Sequence, residues 1–375
     1  MLNLIATSTF GLEATVKREI TALGCKITSV SDGRIDFTGD TASIVNANIS
    51  LGASDRVLLV IGEFDAATFD ELFEKTKALN WQDWITKDGK FTVTGKSVKS
   101  KLFSVPDCQA IVKKAVVEKL KQFHSVEWFD ETGPEYKIQV ALLKDKATLT
   151  IDTTGPSLHK RGYRKLTHKA PIKETLAYAM IELSYWKKDR ILLDPFCGSG
   201  TIAIEAALKA RNTAPGLFRS FVCENWPQIP KLEWIKIRKE KYEQINTAVI
   251  PEIYASDIDG EAIEIAKHCA EQANVGDFIK FEQKDVKNVK LPGEYGVVIT
   301  NPPYGERLLD ENEVNGLYKT LGALLKGEDT WSCYVITSCE EFEIIYGKRA
   351  DAKRKLFNGN VKADYYQYYG KRPPR

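Results

Sequence analysis

The segment from Ile191 to Leu208, ILLDPFCGSGTIAIEAAL, constrains the fold of this chain more than any other part of the sequence. Its apolar beginning predicts a short buried strand, and the apolar residues after Thr201 predict a helix. Gly198 and Gly200 stand in the turn between them, where glycine allows the backbone to approach a ligand closely. The N–H groups of a helix N-terminus are free to bind that ligand. We therefore predict an α/β fold with a cofactor site at this turn.

Two well-known nucleotide-binding motifs do not match this segment. The P-loop pattern G-x-x-x-x-G-K-[ST] is missing. The dinucleotide pattern G-x-G-x-x-G is incomplete, because Gly198-Ser199-Gly200 is followed by Thr201-Ile202-Ala203 and no third glycine. A nicotinamide-dependent enzyme is therefore the least favoured of the possible functions.

The second half of the chain alternates between short apolar runs and helix-like segments. The runs are residues 191–193, 253–256, 279–281, 297–300 and 334–337, and the helix-like segments are residues 201–209, 260–273 and 314–325. This alternation predicts a parallel sheet covered on both faces, which binds ligands at the carboxyl ends of its strands. Asp257 follows one strand as a candidate for ribose hydroxyls, and Asp285 follows the next as a candidate for an adenine amino group. Asp259 is explained more simply as the cap of the following helix.

A second motif, Asn301-Pro302-Pro303-Tyr304-Gly305, directly follows the apolar run at residues 297–300. The two prolines predict a rigid loop at the end of that strand. Asn301 supplies a side-chain carbonyl, Pro302 keeps its backbone carbonyl, and Tyr304 supplies a flat ring. Two acceptors and a stacking surface suit the binding of an aromatic amine. A plain Pro-Pro turn is the alternative, and the position after the first motif argues against it.

The first half of the chain mixes strands, helices and hairpins, which predicts small α+β modules. The polar stretch at residues 153–170 is predicted to be an interdomain linker. Between Lys87 and Lys169 there are 17 lysines and arginines and 9 aspartates and glutamates, a net charge of +8, whereas the remainder carries −6. A solvated face would explain scattered lysines, but a basic region on a nearly neutral chain also indicates a polyanion-binding surface. The candidate phosphate contacts are Lys160, Arg161, Arg164 and Lys165.

Length and composition narrow the class of protein further. A chain of 375 residues is expected to form two or three domains. No apolar run is long enough to cross a bilayer, and the N-terminus does not resemble a signal peptide, so we expect a cytoplasmic protein. The seven cysteines are scattered without a C-x-x-C pair, and with only four histidines no metal site is expected. The last residues, KADYYQYYGKRPPR, predict an edge strand with a disordered tip, although interleaved aromatic and basic residues also suit RNA stacking.

These motifs resemble those of known families. DPFCGSGT at residues 194–201 followed by NPPYG at residues 301–305 resembles the class I S-adenosylmethionine-dependent amino-methyltransferases. KAPIKETLAYAM at residues 169–180 resembles the extra helix that precedes the cofactor loop in that group. LHKRGYRKLTHKAPIKETLA at residues 158–177, together with NPPYGERL at residues 301–308, is similar to the THUMP-domain ribosomal RNA guanine-N2 methyltransferases of bacteria. This second resemblance covers essentially the whole chain.

The resemblance implies four regions along the chain. Residues 1–65 would be a ferredoxin-like segment, residues 66–155 a THUMP RNA-binding module, residues 156–170 a linker, and residues 171–375 a Rossmann-like class I methyltransferase domain. The longer bacterial enzymes of this activity carry a second methyltransferase domain. This chain has no room for one, so one modification is expected. No membrane, metal or obligate protein partner is expected.

The resemblance also implies the roles of individual residues. S-adenosylmethionine would be the cofactor and S-adenosylhomocysteine the product. The implied cofactor-binding residues are Asp194, Pro195, Phe196, Cys197, Gly198, Ser199, Gly200, Thr201, Asp257, Ile258, Asp285 and Asn301. Asn301, Pro302, Pro303 and Tyr304 would hold the target base, and the reaction would methylate an exocyclic amine, guanine N2 of 23S ribosomal RNA.

Two alternatives stay open, one with the same chemistry on another substrate and one from another class of protein. A DNA adenine-N6 methyltransferase uses the same Asn-Pro-Pro-Tyr loop, but the basic N-terminal half shows no helix-turn-helix pattern. A catalytically silent RNA-binding protein with the same fold would not require the glycines or Asn301.

Overall fold

The computed structural model describes residues 1–166, 171–304 and 310–374, which form two seven-stranded sheets with helices packed against them. The first half contains β1 (Leu2–Ser8), α1 (Glu13–Ala22), β2 (Lys26–Ser31), β3 (Arg34–Gly39), α2 (Thr41–Ser50), β4 (Ser54–Asp65), α3 (Phe69–Lys77), β5 (Lys90–Val98), α4 (Val105–His124), β6 (Glu135–Leu143) and β7 (Lys146–Asp152). The second half contains α5 (Glu174–Leu183), β8 (Leu192–Asp194), α6 (Thr201–Ala210), α7 (Lys231–Glu243), β9 (Ile253–Asp257), α8 (Gly260–Gln272), β10 (Ile279–Gln283), β11 (Val297–Thr300), α9 (Glu311–Leu324), β12 (Ser332–Thr337), α10 (Phe342–Tyr346), β13 (Ala352–Asn358) and β14 (Val361–Tyr368).

The first sheet has the strand order β2-β3-β1-β4-β7-β6-β5 and is antiparallel except for the parallel pair β5 and β6. The predicted hairpin between β6 and β7 is present, and its turn residues Lys144 and Asp145 both have the positive φ of a two-residue turn. The long strand β4 pairs with β1 on one side and with β7 on the other. The two predicted N-terminal modules therefore share one continuous sheet.

The second sheet has the order β10-β9-β8-β11-β12-β14-β13, and its first five strands are parallel. This arrangement confirms the α/β fold predicted for the second half. The strand order reverses between β8 and β11, whose carboxyl ends carry Asp194 and Thr300. Doubly wound sheets bind ligands in the crevice at such a switch point.

The prediction of an edge strand at the C-terminus is wrong. β14 lies inside the sheet, between β12 and β13, and buries Tyr365, Tyr366 and Tyr368. Tyr365 and Tyr366 are successive and so point to opposite faces of the sheet, where both are buried. These three rings are not available to stack on RNA. The partner strand β13 was not predicted, and neither were β2 or α7. β2 is almost entirely exposed, so its sequence lacks a buried face from which a strand is predicted.

The segment between α6 and α7 joins the two halves. The backbone N–H of Gly216 donates to Ile49 O at 2.8 Å, and the indole of Trp226 donates to Glu135 O at 3.0 Å. Gln228 Nε2 donates to Trp84 O at 2.8 Å. These bonds reach both N-terminal modules, and one continuous cluster of buried apolar residues extends across both halves. The methyltransferase-like half is therefore packed firmly against the first sheet.

Candidate functional site

A cavity of about 1220 Å³ lies at the switch point of the second sheet. All the residues predicted to bind cofactor or base line it, except Gly200, which lies behind the loop. Those lining residues are Asp194, Pro195, Phe196, Cys197, Gly198, Ser199, Thr201, Asp257, Ile258, Asp285, Asn301, Pro302, Pro303 and Tyr304. The fold thus brings together two motifs that are about a hundred residues apart in the sequence.

The glycine turn is held in a conformation that other residues rarely adopt. Gly198 has φ +50° and Gly200 has φ +76°. A Cβ on Gly200 would lie 3.0 Å from Ala266 Cβ and 3.1 Å from the Phe281 ring, so α6 packs closely against α8 and β10 here. A Cβ on Gly198 would meet no atom within 4 Å, because this residue faces the cavity. The first glycine leaves space for a ligand, and the second allows the helix to pack.

Asp194 connects the two motifs. Thr300 Oγ1 donates to Asp194 Oδ1 at 2.6 Å, which ties the end of β11 to the end of β8. Asp194 is 1% exposed, and Oδ2 is buried without a hydrogen-bond partner among the residues described. Burial raises the pKa of this carboxyl to about 7, against the opposing effect of the Thr300 hydroxyl. An unpaired buried carboxylate oxygen on a residue that lines a cavity suits a cationic or hydrogen-bonding ligand.

The other acidic residues also have local bonds. Asp257 Oδ2 accepts the N–H of Gly198 at 2.9 Å, and Oδ1 accepts the N–H of Asp259 at 3.0 Å. Asp259 caps α8 by accepting the N–H of Glu261 at 2.9 Å, as the sequence indicated. Asp285 accepts the N–H of Lys287 at 3.0 Å. Asp257 and Asp285 still line the cavity, and their carboxylates have further lone pairs with which to accept hydrogen bonds from a ligand.

The Asn-Pro-Pro-Tyr loop is fixed from two sides. Tyr318 of α9 donates its hydroxyl to Pro303 O at 3.1 Å. The hydroxyl of Tyr304 accepts a hydrogen bond from Asn358 Nδ2 at 2.7 Å. Asn301 Oδ1 is buried and makes no hydrogen bond to the residues described. Because a buried acceptor without a donor is costly, this atom suits an N–H of a bound ligand. Residues 305–308 of the predicted motif lie outside the described residues.

Cys197 has the environment of a packing residue. Its side chain is buried beside Asp194 and Asp257, and burial raises the pKa of its thiol well above the usual value. A nucleophilic cysteine needs the opposite shift, since the thiolate is the reactive form.

The phosphate-binding role predicted for Arg161 and Arg164 is wrong. Arg161 is 4% exposed and donates to Gly52 O at 2.6 Å and Leu158 O at 2.8 Å, with Glu205 at 3.5 Å. Arg164 points inwards as well and donates to Thr201 Oγ1 and Ile172 O. Both guanidinium groups are used to pack the linker against the second half. Lys160 and Lys165 are exposed, so their role stays a prediction.

The described part of the linker is a packed segment. Leu158 and Tyr163 are buried, and the Tyr163 hydroxyl donates to Glu205 Oε1 at 3.0 Å. Arg219 Nη1 donates to the carbonyls of Ser157 and Lys160, both at 2.8 Å. Residues 167–170 lie outside the described residues.

Sequence reasoning missed a third wall of the cavity. It comes from the hairpin of β13 and β14, from α9, from the residues before α5 and from the end of β12. Its members include Pro171, Lys173, Glu313, Gly316, Leu317, Thr320, Ser338, Asn358, Gly359 and Val361. Gly359-Asn360, with glycine first in a two-residue turn, is a typical hairpin sequence and was the available signal for part of this wall.

The described residues show neither a metal cluster nor a membrane-spanning helix. No three His, Cys, Asp or Glu side chains come together there as they would around a metal ion. Within the same ranges, no helix is both long and apolar enough to span a membrane.

The fold and the cavity define an α/β protein in which the glycine turn and the Asn-Pro-Pro-Tyr loop line one cavity. The model of the RMKL-like methyltransferase domain matches residues 161–367, and the chain belongs to this methyltransferase family. Models of the RlmL ferredoxin-like domain and the THUMP domain match residues 3–58 and 66–152. The predicted family and N-terminal domain types are confirmed.

Several relatives extend over the full chain. YpsC of Bacillus subtilis strain 168, named as a candidate RNA methyltransferase, is 52% identical over 99% of this chain and 97% of its own length. A crystal structure from Listeria monocytogenes, described as a predicted N6-adenine-specific DNA methylase, is 50% identical, with a TM-score of 0.94 over 99% of this chain and 96% of that one. SMU.472, a candidate methyltransferase crystallised with SAH, is 43% identical, with a TM-score of 0.95 over 100% and 99% of the two chains.

Proposed function

We propose that this protein is an S-adenosylmethionine-dependent RNA methyltransferase that modifies an exocyclic amine of a base, guanine N2 in 23S ribosomal RNA. The observation that carries the proposal is Asn301 Oδ1, a buried acceptor with no partner among the described residues, on the wall of the cofactor cavity. The THUMP domain and the name of the Bacillus relative support RNA as the substrate. A role in ribosomal RNA modification places the protein in the cytoplasm.

The cavity fits the proposed cofactor. Gly198 leaves space for it, Asp194 Oδ2 lacks a partner, and Asp257 and Asp285 follow the next two strands. Residues 194–201 would hold the methionine end, Asp257 the ribose and Asp285 the adenine. The relative crystallised with SAH supports this assignment. When bound, the cofactor supplies an electrophilic methyl group on its sulfonium.

The Asn301 loop would prepare the amine for reaction. Asn301 Oδ1 and the Pro302 carbonyl each accept one amine N–H, which orients the nitrogen and favours the positive charge that develops on it. The proton leaves to water after transfer. The base has to be unstacked from its neighbours to enter the cavity, and Tyr304 offers a ring on which it can stack. This mechanism requires no covalent intermediate on the protein.

We propose the same four regions along the chain that the family resemblance implies. Residues 1–65 are the ferredoxin-like segment, 66–155 the THUMP module, 156–170 the linker and 171–375 the methyltransferase domain. Because Arg161 and Arg164 are bonded inside the protein, only Lys160 and Lys165 of the four predicted linker contacts remain exposed, and we expect a further contact with RNA outside the linker.

We place that contact on a surface of the THUMP module formed by Lys99, Lys101, Phe103 and Lys144, here called the basic loop surface. Phe103 is 82% exposed, and all three lysines are exposed. The N–H of Lys144 donates to Val98 O at 3.2 Å, and the N–H of Lys101 donates to Asp145 Oδ1 at 2.6 Å. These bonds hold the loop before α4 against the β6–β7 turn. An ordered aromatic ring among lysines suits a single-stranded nucleic acid.

Changes on the basic loop surface are expected to weaken RNA binding. Phe103→Ala should lower affinity about tenfold, because stacking on an aromatic ring contributes roughly 1–3 kcal/mol per base. Lys99→Ala with Lys101→Ala should reduce the slope of log K against log salt by about 1.5, since each phosphate contact contributes roughly 0.7–0.9. Titration of labelled ribosomal RNA fragments at several salt concentrations measures both. Lys236→Ala with Lys239→Ala, on the exposed face of α7, is the matched control. Equal losses in both pairs would place the contact elsewhere.

Cofactor affinity is expected to depend on pH through Asp194. The raised pKa of about 7 means that this carboxyl is largely neutral below pH 7 and ionised above it. The cofactor's ammonium group favours the ionised form, so binding below pH 7 should release a proton. Affinity should therefore rise up to about tenfold per pH unit towards pH 7 and then level off. Calorimetry between pH 5.5 and 7.5, in two buffers of different ionisation enthalpy, measures affinity and proton release. Asp194→Asn should bind more weakly and without pH dependence; a flat wild-type profile would contradict the assignment.

The chemistry and the substrate are tested together by transfer of labelled methyl groups. Wild-type protein is given undermodified ribosomal RNA or unmethylated DNA, and the product nucleosides are identified. N2-methylguanosine in RNA is the expected product. The description of the Listeria relative favours a second candidate, DNA adenine-N6 methylation, and N6-methyladenine in DNA would establish that instead. Cofactor binding without transfer to either substrate would indicate a silent RNA-binding protein.

A further inference from the structure

The tip of the β13–β14 hairpin reaches the base-binding loop through one side chain. Asn358 is the last residue of β13 and pairs with Val361 across the turn, where Gly359 has φ +64°. Asn358, Gly359 and Val361 line the same cavity as Asn301 and the prolines that follow it. Asn358 Nδ2 donates to the hydroxyl of Tyr304 at 2.7 Å.

This is the hydrogen bond that the structure gives to the Tyr304 hydroxyl, and it comes from a separate element of the fold. Tyr304 is half-buried at the end of its loop, and residues 305–309 after it lie outside the described part of the chain. Pro303 before it is fixed by the Tyr318 hydroxyl. A tyrosine ring swings about the Cα–Cβ bond, so a fixed backbone alone does not set where the ring and its hydroxyl lie. The bond from Asn358 sets the position of its far end.

The hairpin itself is braced by the N-terminal module. Phe10, in the turn between β1 and α1, packs edge-on against Phe357, with ring centroids 5.9 Å apart. Gly11 approaches the same strand so closely that a Cβ would lie 2.6 Å from Lys355 O. Leu356, which stands between Lys355 and Phe357 in β13, is fully buried. The residue that holds Tyr304 therefore follows a strand segment packed against a different part of the chain.

We propose that Asn358 is a positioning residue, which holds the ring of Tyr304 at the place in the cavity required for stacking on the target base. The inference rests on the proposed function, because it assumes that a base enters the cavity beside Tyr304. Asn358 itself need not touch the substrate. The hydrogen bond from Asn358 raises the fraction of enzyme molecules in which Tyr304 is correctly placed. Asn358 should therefore affect binding of the base and leave cofactor binding unchanged.

Two sets of variants test the proposal by kinetics. Asn358→Ala and Tyr304→Phe should each lower kcat/KM for RNA by about tenfold, the usual effect of losing one neutral hydrogen bond. The double variant should be no worse than Tyr304→Phe, because the bond is already lost in either single variant. Asn358→Asp can accept from the tyrosine hydroxyl and should recover most of the loss. Asn360→Ala, at the exposed turn of the same hairpin, is the matched control and should act as wild type. Losses that multiply in the double variant, or equal activity of Asn358→Ala and Asn360→Ala, would overturn the proposal.

A spectroscopic measurement separates this proposal from the proposed function. 3-Fluorotyrosine at position 304 gives a ¹⁹F resonance that can be titrated without any substrate. Donation by Asn358 lowers the pKa of the Tyr304 hydroxyl, which burial raises, so Asn358→Ala should shift the titration to higher pH and change the resonance. Asn360→Ala should leave both unchanged. If wild-type protein methylates no RNA, the proposed function fails, and this titration alone decides whether Asn358 holds Tyr304. An unshifted resonance in Asn358→Ala would overturn the inference.

Discussion

Replacing Asn301 by alanine is expected to lower kcat for methyl transfer about 100- to 1000-fold, the usual effect of removing one preorganised group that stabilises developing charge. The side-chain oxygen of Asn301 is buried and free to accept an amine N–H, and alanine offers no acceptor in its place. Cofactor affinity should change less than about fivefold, because the glycine turn and its acidic residues stay in place. Single-turnover transfer of labelled methyl groups, with cofactor affinity measured separately, distinguishes the two effects.

Asn301→Asp is the matched variant for this experiment. It keeps an acceptor oxygen at the same position and should retain more activity than the alanine variant. An alanine variant within about tenfold of wild-type kcat would rule out Asn301 as the acceptor that carries the proposal.

Replacing Arg161 by alanine is expected to destabilise the protein and to leave the RNA-binding surface intact. Arg161 and Glu205 are each 2% exposed in their side chains, so the substitution leaves a buried carboxylate without its cation. Removing one partner of such a pair costs about 3–5 kcal/mol. For a chain of this length, that corresponds to a decrease in Tm of about 5 °C. The carbonyls of Gly52 and Leu158 lose a donor as well.

The control is Lys165→Ala, which removes an exposed charge four residues further along the linker. Its Tm should stay within about 1 °C of wild type, as for most surface substitutions. Thermal unfolding followed by circular dichroism gives both values, and RNA affinity is measured well below the lower Tm. An Arg161→Ala protein with wild-type Tm but weakened RNA binding would restore the phosphate-binding role that the structure argues against.

The sequence predicted the catalytic half well because its signals are local. The strand, glycine turn and helix at residues 191–208 are adjacent in the chain, and the prolines after Thr300 define their own loop. Their joint position followed from a general property of parallel sheets, whose strands end at one edge. The structure confirms the α/β fold and brings both motifs to one cavity. The roles of the individual residues stay predictions.

The errors concern residues whose environment depends on distant parts of the chain. Arg161 stands in a polar stretch with glycine and proline, which is typical of an exposed linker. Its burial depends on Gly52 and Glu205, which are 109 and 44 positions away. β14 was predicted to be an edge strand, but it pairs with β12 and with β13, a strand that was not predicted. The predictions did not use the hairpin signal at Gly359-Asn360, and no local pattern indicates that the tip meets Tyr304.

The long strand β4 has a consequence for how an RNA can be selected. Because β4 pairs with β1 and with β7, the ferredoxin-like and THUMP modules cannot turn relative to each other without breaking the sheet. The segment between α6 and α7 fixes the catalytic half to both of them. If RNA binds at the basic loop surface and its target base at Asn301, as proposed, the distance between these two sites is fixed. We then expect the folded shape of the RNA, more than the sequence around the base, to decide which nucleotide reaches Asn301.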